Sequence, residues 1–353
     1  MFTWIAFAGK ADPLASETLG SVYDAQARSL LHGHWDVPAF FLSFERFNIG
    51  GKFYAYFGPW PAILRMPVVA FTDAFDGRLT HVSMLLAFVV FLAFTGRIAW
   101  QAYTVVRGRG PVGWRTLVAA GGFVFVAGCG SAALFVGARG WVYHEAMLWG
   151  VAWSVAAFSF IVAYLLEGRW ALLGWAAVTS TLAMMSRASV GLGPVIALGL
   201  LVAVRVIQRG ADWWTAHRGQ TSRRTTLARW CGLDADTAHG SIWQVVLATA
   251  IPLASYMYVN YAKFGTLVSV PIEKQDVLLA RPERRAVLAA TGNSLFGLRY
   301  VATSLVQYLR PDGIGFRRTF PWVTFAHFPH VFGGVQFDNI EPTASMTVTS
   351  VLL

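Results

Sequence analysis

Six apolar segments constrain the fold of this chain more than any other feature. Each is about 15 to 22 residues long and carries almost no charge, and about 20 apolar residues cross the hydrocarbon core of a bilayer. Over the whole chain 56% of residues are hydrophobic and 13% are charged, whereas a water-soluble domain carries about 25% charged residues. We therefore predict an all-α polytopic membrane protein. The predicted spans are Val82–Trp100, Leu117–Ala138, Ala146–Leu166, Ala171–Met185, Val190–Val204 and Ile242–Tyr261.

The arginines predict an orientation for these spans. They gather in the connections after the first and fifth spans, whereas the alternate short connections carry one each, Arg139 and Arg187. Short loops rich in arginine stay in the cytoplasm, so the other connections are predicted to lie outside. The net charge of +10 falls in separate runs rather than on one basic face, so nucleic acid is not a predicted partner. The basic residues are Arg107, Arg109, Arg115, Arg205, Arg209, Arg218, Arg223, Arg224 and Arg229.

This orientation divides the chain into four parts. Residues 1–80 form a first external loop with interfacial helices, and residues 81–261 form a transmembrane bundle of about six spans. Residues 262–345 form an external amphipathic segment, and residues 346–353 begin a further span. Because the sequence opens on half a span and stops about eight residues into another, we expect a chain that is truncated at both ends.

The first external loop carries a polar cluster on a predicted short helix. Asp24 and Arg28 lie four residues apart there and could simply pair on the helix surface. The alternative interpretation makes Asp24 a general base at the membrane surface. Further along, the glycine pair at Gly50 is a turn signal, and a hairpin through Lys52–Tyr56 is compatible with it.

Two charged sites lie at the external ends of the predicted spans. His144 and Glu145 open the third span, where an acidic residue favours a helix N-terminus, so ordinary capping is the simplest interpretation. The zinc-protease pattern fails, because a second histidine is required at the position of Leu148. Arg187 lies in the turn between the fourth and fifth spans, where a charge is costly unless it is paired. A lipid phosphate would suit its guanidinium, and snorkelling to headgroups is the alternative.

The long external segment predicts an amphipathic helix that lies on the membrane and ends before Pro311. Arg317 and Arg318 follow it and are candidates for contact with phosphate or with anionic headgroups. The apolar residues at helical spacing are Leu295, Leu298, Val301, Ala302, Leu305, Tyr308 and Leu309.

Four motifs together resemble bacterial polytopic glycosyltransferases of the GT-C fold. They are "YDAQARSLLHGHWDVP", "GGKFYAYFGPWPAILRMP", "YHEAMLWG" and "YVNYAKFGTLVSVP", and they span about residues 20 to 271. The resemblance implies a GT-C-like bundle of transmembrane helices with interfacial helices in the external loops. It also implies a multi-pass protein of the bacterial cytoplasmic (inner) membrane, in contact with membrane lipids.

The resemblance further implies an inverting glycosyltransferase. Such an enzyme moves a sugar from a polyprenyl-phosphate donor to an envelope glycan, lipid or protein acceptor at the outer face of the membrane. Carried over by position, Asp24 matches the first-loop acid and would deprotonate the acceptor hydroxyl. Arg187, with Arg317 and Arg318, would hold the donor phosphate and stabilise its charge as it leaves.

A divalent cation, Mg or Mn, is used by some members of that family. His34, Asp36, His144 and Glu145, with Asp24, supply oxygen and nitrogen atoms that are able to bind such an ion.

Two other functions stay open. A transporter would need charged or broken helices at the bilayer midplane, and the spans here are nearly free of charge. A non-catalytic membrane scaffold of the same fold is compatible with the whole sequence.

Overall fold

The computed structural model describes most of the chain. Its described residues are 12–17, 19–108, 110–137, 140–218, 241–276, 280–291, 297–316, 318, 323–325, 331–335, 345 and 347. Within them the protein is mostly helical, and its four strands form two separate hairpins.

Among the described residues, three helices and a hairpin precede the bundle. The predicted hairpin is confirmed, with two antiparallel strands joined through Gly50 and Gly51. Both glycines have positive φ angles, +60° and +83°, which glycine adopts without steric cost. A short 3₁₀ turn, Ser43–Glu45, leads into the hairpin. The elements are α1 Val22–Leu31, α2 Ala39–Leu42, β1 Phe47–Ile49, β2 Lys52–Tyr54 and α3 Trp60–Val69.

Every predicted span corresponds to an apolar helix. Helices α4, α7 and α10 and the Ala188–Gly210 part of α9 are long and apolar enough to cross a membrane, whereas α5 and α8 are shorter, with 16 and 17 residues. The elements are α4 Thr80–Arg107, α5 Trp114–Cys129, α6 Ala132–Gly137, α7 Val142–Glu167, α8 Trp170–Ser186, α9 Ala188–Arg218 and α10 Ile242–Phe264.

Two predicted spans differ from the observed helices in their limits. The second breaks at Gly130, whose N–H bonds back to Val126, and the Ser131 hydroxyl accepts a hydrogen bond from Ala133 at the start of α6. The fifth was predicted to have about 15 residues but belongs to a helix of 31. Hydropathy predicts where the apolar stretch ends, but it does not predict where the helix ends. This helix continues through the charged turns that follow its apolar part.

Helix α7 lies at the centre of the bundle. It packs against α4, α8 and α9, and α8 also contacts α9 and α10. Small residues make these contacts close, since Ala152, Ala156 and Ala157 are completely buried on α7, and small side chains allow membrane helices to approach one another.

One end of the bundle, called the polar end here, carries the N-terminal elements. It is formed by the starts of α4, α7 and α9 and by the ends of α8 and α10. The 28 residues of α4 span about 42 Å at 1.5 Å per residue, so Arg107 lies at the opposite end. The first arginine-rich connection therefore begins at the end of the bundle opposite the polar end, and the predicted orientation across a membrane stays a prediction.

The C-terminal elements include the predicted amphipathic helix. It is confirmed over Val301–Leu309, where it follows a 3₁₀ turn at Leu298–Tyr300 and ends before Pro311. Leu305 and Leu309 are more than half exposed on it. The remaining elements are α11 Pro282–Ala290, α12 Val301–Leu309, β3 Ile314–Phe316 and β4 Val323–Phe325. Predictions that lie outside the described residues are those for Arg109, Arg139, Arg223, Arg224, Arg229, Leu295, Arg317 and, except for residue 347, the segment 346–353.

Candidate functional site

Three charged side chains from three helices form a buried triad at the polar end. Arg65 of α3 donates from Nη1 to Oδ1 of Asp24 on α1 at 2.9 Å and from Nη2 to Oε2 of Glu145 on α7 at 2.6 Å. All three side chains are at most 2% exposed. The buried triad, meaning Asp24, Arg65 and Glu145, therefore joins the first loop to the centre of the bundle.

Further hydrogen bonds support the triad, although Nε of Arg65 and Oε1 of Glu145 are buried without a hydrogen-bond partner among the described residues. Arg65 also donates to the Gly20 carbonyl at 2.9 Å and to the Thr80 hydroxyl at 3.1 Å, and the Gly77 N–H donates to Oδ2 of Asp24 at 2.7 Å. Burial alone would lower the pKa of Arg65, but the two carboxylates outweigh it and the pKa is raised. A buried charge with this many partners is held in one geometry.

The contacts of Asp24 differ from both interpretations of the sequence. Arg28 does not pair with Asp24: it donates to Asp76 at 2.7 Å and to the Val69 carbonyl at 2.8 Å. Both carboxylate oxygens of Asp24 already accept hydrogen bonds within the fold. Its role as a general base stays a prediction, and the observed setting is that of a carboxylate that holds helices together. Glu145, predicted as a helix cap or metal ligand, is a member of the same buried triad.

Arg187 has a different environment at the same end of the bundle. It is the residue between α8 and α9, as predicted, and its guanidinium lies over the ring of Tyr56, 5.2 Å from the ring centroid. Nη1 of Arg187 is buried and has no hydrogen-bond partner among the described residues. An unpaired buried donor on a charged group is costly, so this nitrogen is suited to an anionic ligand.

A second donor without an acceptor lies in the same region. The hydroxyl of Tyr23 is buried and, within the described chain, has no hydrogen-bond partner. Burial and the Glu145 carboxylate raise the pKa of Tyr23, and the charges of Arg65 and Arg187 oppose that rise. The charge of Arg187 therefore acts on Tyr23, and the edge of the Tyr23 ring meets Phe57 at 6.3 Å between centroids.

Glu45 and Tyr143 complete this region. The hydroxyl of Tyr143, in the first turn of α7, donates to Oε1 of Glu45. Burial raises the pKa of Glu45, while the Tyr143 hydrogen bond and the charges of Arg187 and Arg284 lower it. We call Arg187, Tyr56, Tyr23, Glu45 and Tyr143 the Arg187 site.

Sequence reasoning assigned no role to Glu45 or Tyr143. The signal that could have found Glu45 is its place in "FFLSFERFN", because an acid within an aromatic stretch needs a polar partner when that stretch is buried. Tyr143 is the second residue of the "VYHE" stretch and directly precedes His144 and Glu145, both of which are predicted site residues.

The loop that carries Tyr56 is fixed from two sides. Lys263, near the end of α10, donates from Nζ to the carbonyls of Ala55 at 3.2 Å and Phe57 at 2.7 Å. On the other side, a Cβ at Gly58 would clash with the Met185 carbonyl, two residues before Arg187, so only glycine fits there. Contacts to the backbone of this loop thus hold the aromatic ring beneath Arg187, and this role of Lys263 was not predicted from the sequence.

The other predicted site residues do not join the Arg187 site. His34 is exposed and lines a shallow surface pocket of about 250 Å³, Asp36 faces Lys52 at 3.8 Å, His144 stacks on a neighbouring tryptophan, and Arg318 is exposed. In the described part of the chain, no three His, Cys, Asp or Glu side chains are grouped as metal ligands. The use of a divalent cation stays a prediction.

Comparison with known proteins does not identify the family of the chain or the role of this site. No protein-family model, curated protein or solved structure matches the chain.

Proposed function

We propose that the chain is an integral membrane glycosyltransferase, which moves a sugar from a polyprenyl-phosphate donor to an envelope glycan, lipid or protein acceptor. In this proposal it crosses the bacterial cytoplasmic membrane several times, with the polar end at the outer face. One observation carries the proposal. Nη1 of Arg187 is a buried cationic donor without a partner in the described structure, at a helix junction beside apolar helices.

The chemistry of a guanidinium favours phosphate as its ligand. Its N–H groups form a rigid fork that binds phosphate oxygens in pairs. A lipid-linked phosphate presents this anion at the membrane surface while its apolar chain remains in the bilayer. The same contact would hold the negative charge that develops as the sugar leaves. Arg318 is exposed and lies outside this arrangement, so its predicted phosphate contact receives no support from it.

A second candidate function has its own observation. The buried triad uses both oxygens of Asp24 within the fold, although that residue is the acid which the family resemblance makes catalytic. A membrane scaffold of the same fold, without transferase activity, would carry such a structural carboxylate. The two functions differ in the role of Arg187: the transferase needs it to bind the donor phosphate, whereas the scaffold needs it at most for folding.

The experiment is lipid-linked sugar and envelope-glycan profiling in a strain that lacks the complete gene. The strain is complemented with wild type, with Arg187→Gln or with the control Arg169→Gln, at equal expression. Arg169 is a suitable control because its side chain is 69% exposed. We expect the deletion and Arg187→Gln to accumulate a polyprenyl-phosphate sugar and to lose one glycan linkage, and the control to restore both. Full restoration by Arg187→Gln, or unchanged profiles in the deletion, would refute the proposal, and the second outcome would favour the scaffold.

Binding to the purified full chain in lipid nanodiscs identifies the anion. The probes are a polyprenyl monophosphate, the corresponding prenol and phosphatidylglycerol. We expect the monophosphate to bind and Arg187→Gln to weaken it at least tenfold, which corresponds to about 1.4 kcal/mol. Equal affinity for phosphatidylglycerol would mean that Arg187 binds ordinary headgroups. Equal affinity for the prenol would show that the phosphate is not recognised.

A further inference from the structure

The acidic side chains of the polar end differ in what holds them. Asp24 and Glu145 are both bound to Arg65. Asp36 faces the exposed Lys52. Glu45 instead accepts a hydrogen bond from a neutral hydroxyl, that of Tyr143. A carboxylate held by a neutral donor is able to take up a proton without breaking an ion pair.

A series of ring contacts connects Glu45 with Arg187. The ring of Tyr143, whose hydroxyl binds Glu45, lies 5.2 Å from that of Phe57, and Phe57 lies 4.3 Å from Tyr56. Tyr56 in turn lies beneath the guanidinium of Arg187. The carboxylate and the cation therefore stand at the two ends of one continuous aromatic surface.

We propose that Glu45 is the general base of the transfer proposed above, and that Tyr143 is the positioning residue for its carboxylate. This inference rests on the proposed function. The acceptor hydroxyl oxygen attacks the anomeric carbon and forms the new C–O bond, and its proton passes to Glu45. The bond from the anomeric carbon to the phosphate oxygen breaks. Its electron pair leaves with the polyprenyl phosphate, whose charge Arg187 holds, and the anomeric configuration is inverted.

The environment of Glu45 suits this task. Burial raises its pKa above the ordinary carboxyl value, and a stronger base accepts a proton from a hydroxyl more readily. The groups that face it from neighbouring elements are the Tyr143 hydroxyl, Arg187 and Arg284, and all three lower that pKa. These three groups therefore keep the ionised form of Glu45 accessible, while burial makes its carboxylate a stronger base.

The first test separates turnover from binding. Membranes with equal amounts of each variant are assayed for transfer from the accumulated polyprenyl-phosphate sugar, and the purified proteins for affinity toward the sugar-free polyprenyl monophosphate. We expect Glu45→Gln to lower turnover about 100-fold or more, as loss of a general base does, with affinity within about twofold of wild type. Glu273→Gln is the matched control, because Glu273 is an exposed carboxylate.

Normal turnover in Glu45→Gln would overturn the assignment. So would an equal loss of turnover and of phosphate affinity, because it would give Glu45 a role in binding. The comparison with Asp24→Asn identifies the base directly: a well-folded Asp24→Asn protein that lacks turnover, beside an active Glu45→Gln protein, would return the role to Asp24. If wild type binds the monophosphate but transfers no sugar, the proposed function itself fails.

The second test uses the pH profile and does not depend on removing the acid. In Tyr143→Phe the carboxylate loses a hydrogen bond that lowers its pKa, so the acidic limb of the turnover profile should move to higher pH. Turnover above that limb should persist. A Tyr143→Phe protein with reduced turnover but an unshifted limb would refute the link between Tyr143 and the base. Glu45→Asp, which retains a carboxylate, should recover part of the turnover lost in Glu45→Gln.

Discussion

Two arginines at one end of this bundle have opposite environments. Arg65 is 2% exposed, bonds two carboxylates and also donates to a hydroxyl and a carbonyl. Arg187 lies over an aromatic ring and keeps one buried nitrogen without a partner in the described structure. Arg65 is neutralised by two carboxylates, although its own buried Nε has no hydrogen-bond partner in the described structure. Arg187 forms no ion pair with a carboxylate of the described residues, and that difference separates a charge neutralised within the fold from a charge available to a ligand.

The largest effect is expected at Arg65. Arg65→Met leaves two carboxylates buried beside each other without a cation, and breaking a buried ion pair in this way costs about 3 to 5 kcal/mol. We expect the detergent-solubilised protein to unfold at a much lower temperature or to fail to accumulate. Thermal melting of the purified protein, together with its yield from membranes, measures this loss.

The triple variant Asp24→Asn, Arg65→Met, Glu145→Gln tests the cause. It removes all three charges together, and neutral replacement of a buried ionic group costs far less than removal of one partner. We expect it to recover much of the stability lost in Arg65→Met. If the triple variant is as unstable as the single one, packing rather than unpaired charge accounts for the loss.

The sequence predicts the helices well because their signal is local. A run of apolar residues is read directly from neighbouring positions, and Arg187 is recognised as a turn because it interrupts two such runs. Limits that depend on polar neighbours are less well predicted. Ser131 starts a new helix inside one apolar stretch, and α9 continues past its apolar part.

The pairings at the polar end have no local signal. Arg65 and Glu145 are 80 positions apart, Tyr143 and Glu45 are 98 apart, and Lys263 and Ala55 are 208 apart. The nearest candidate partner of Asp24 along its helix is Arg28, yet the fold brings Arg65 to it instead. Residue type thus predicts that a buried charge needs a partner, but only the packing of α1, α3 and α7 selects which one.

Lys263 tests whether the Arg187 site depends on its supporting loop. Lys263→Met removes the donor from two carbonyls, and each buried polar group left unpaired costs about 1 to 3 kcal/mol. We expect a lower melting temperature and weaker binding of the polyprenyl monophosphate, because Tyr56 is no longer held beneath Arg187. Lys263→Arg, which retains donors, should be affected less.

Lys274→Met is the control for that change, because Lys274 is exposed and the same charge is removed. It should leave both melting and binding close to wild type. Should Lys263→Met lower the melting temperature without altering affinity for the monophosphate, the loop would stabilise the fold without positioning the arginine.

The smallest effect is expected at Arg28. It tests whether burial accounts for the stabilising role of Arg65. Like Arg65, it donates to a carboxylate, Asp76 at 2.7 Å, and to the backbone, but its side chain and that of Asp76 are 35% and 37% exposed. Solvent screens such a pair, and exposed ion pairs contribute about 0 to 1 kcal/mol. A double-mutant cycle with Arg28→Ala and Asp76→Ala, followed by thermal melting, should therefore give a small coupling energy that decreases with salt. A coupling energy as large as the loss of stability in Arg65→Met would contradict this. It would mean that the number of hydrogen bonds an arginine makes, rather than its burial, determines how much it stabilises this protein.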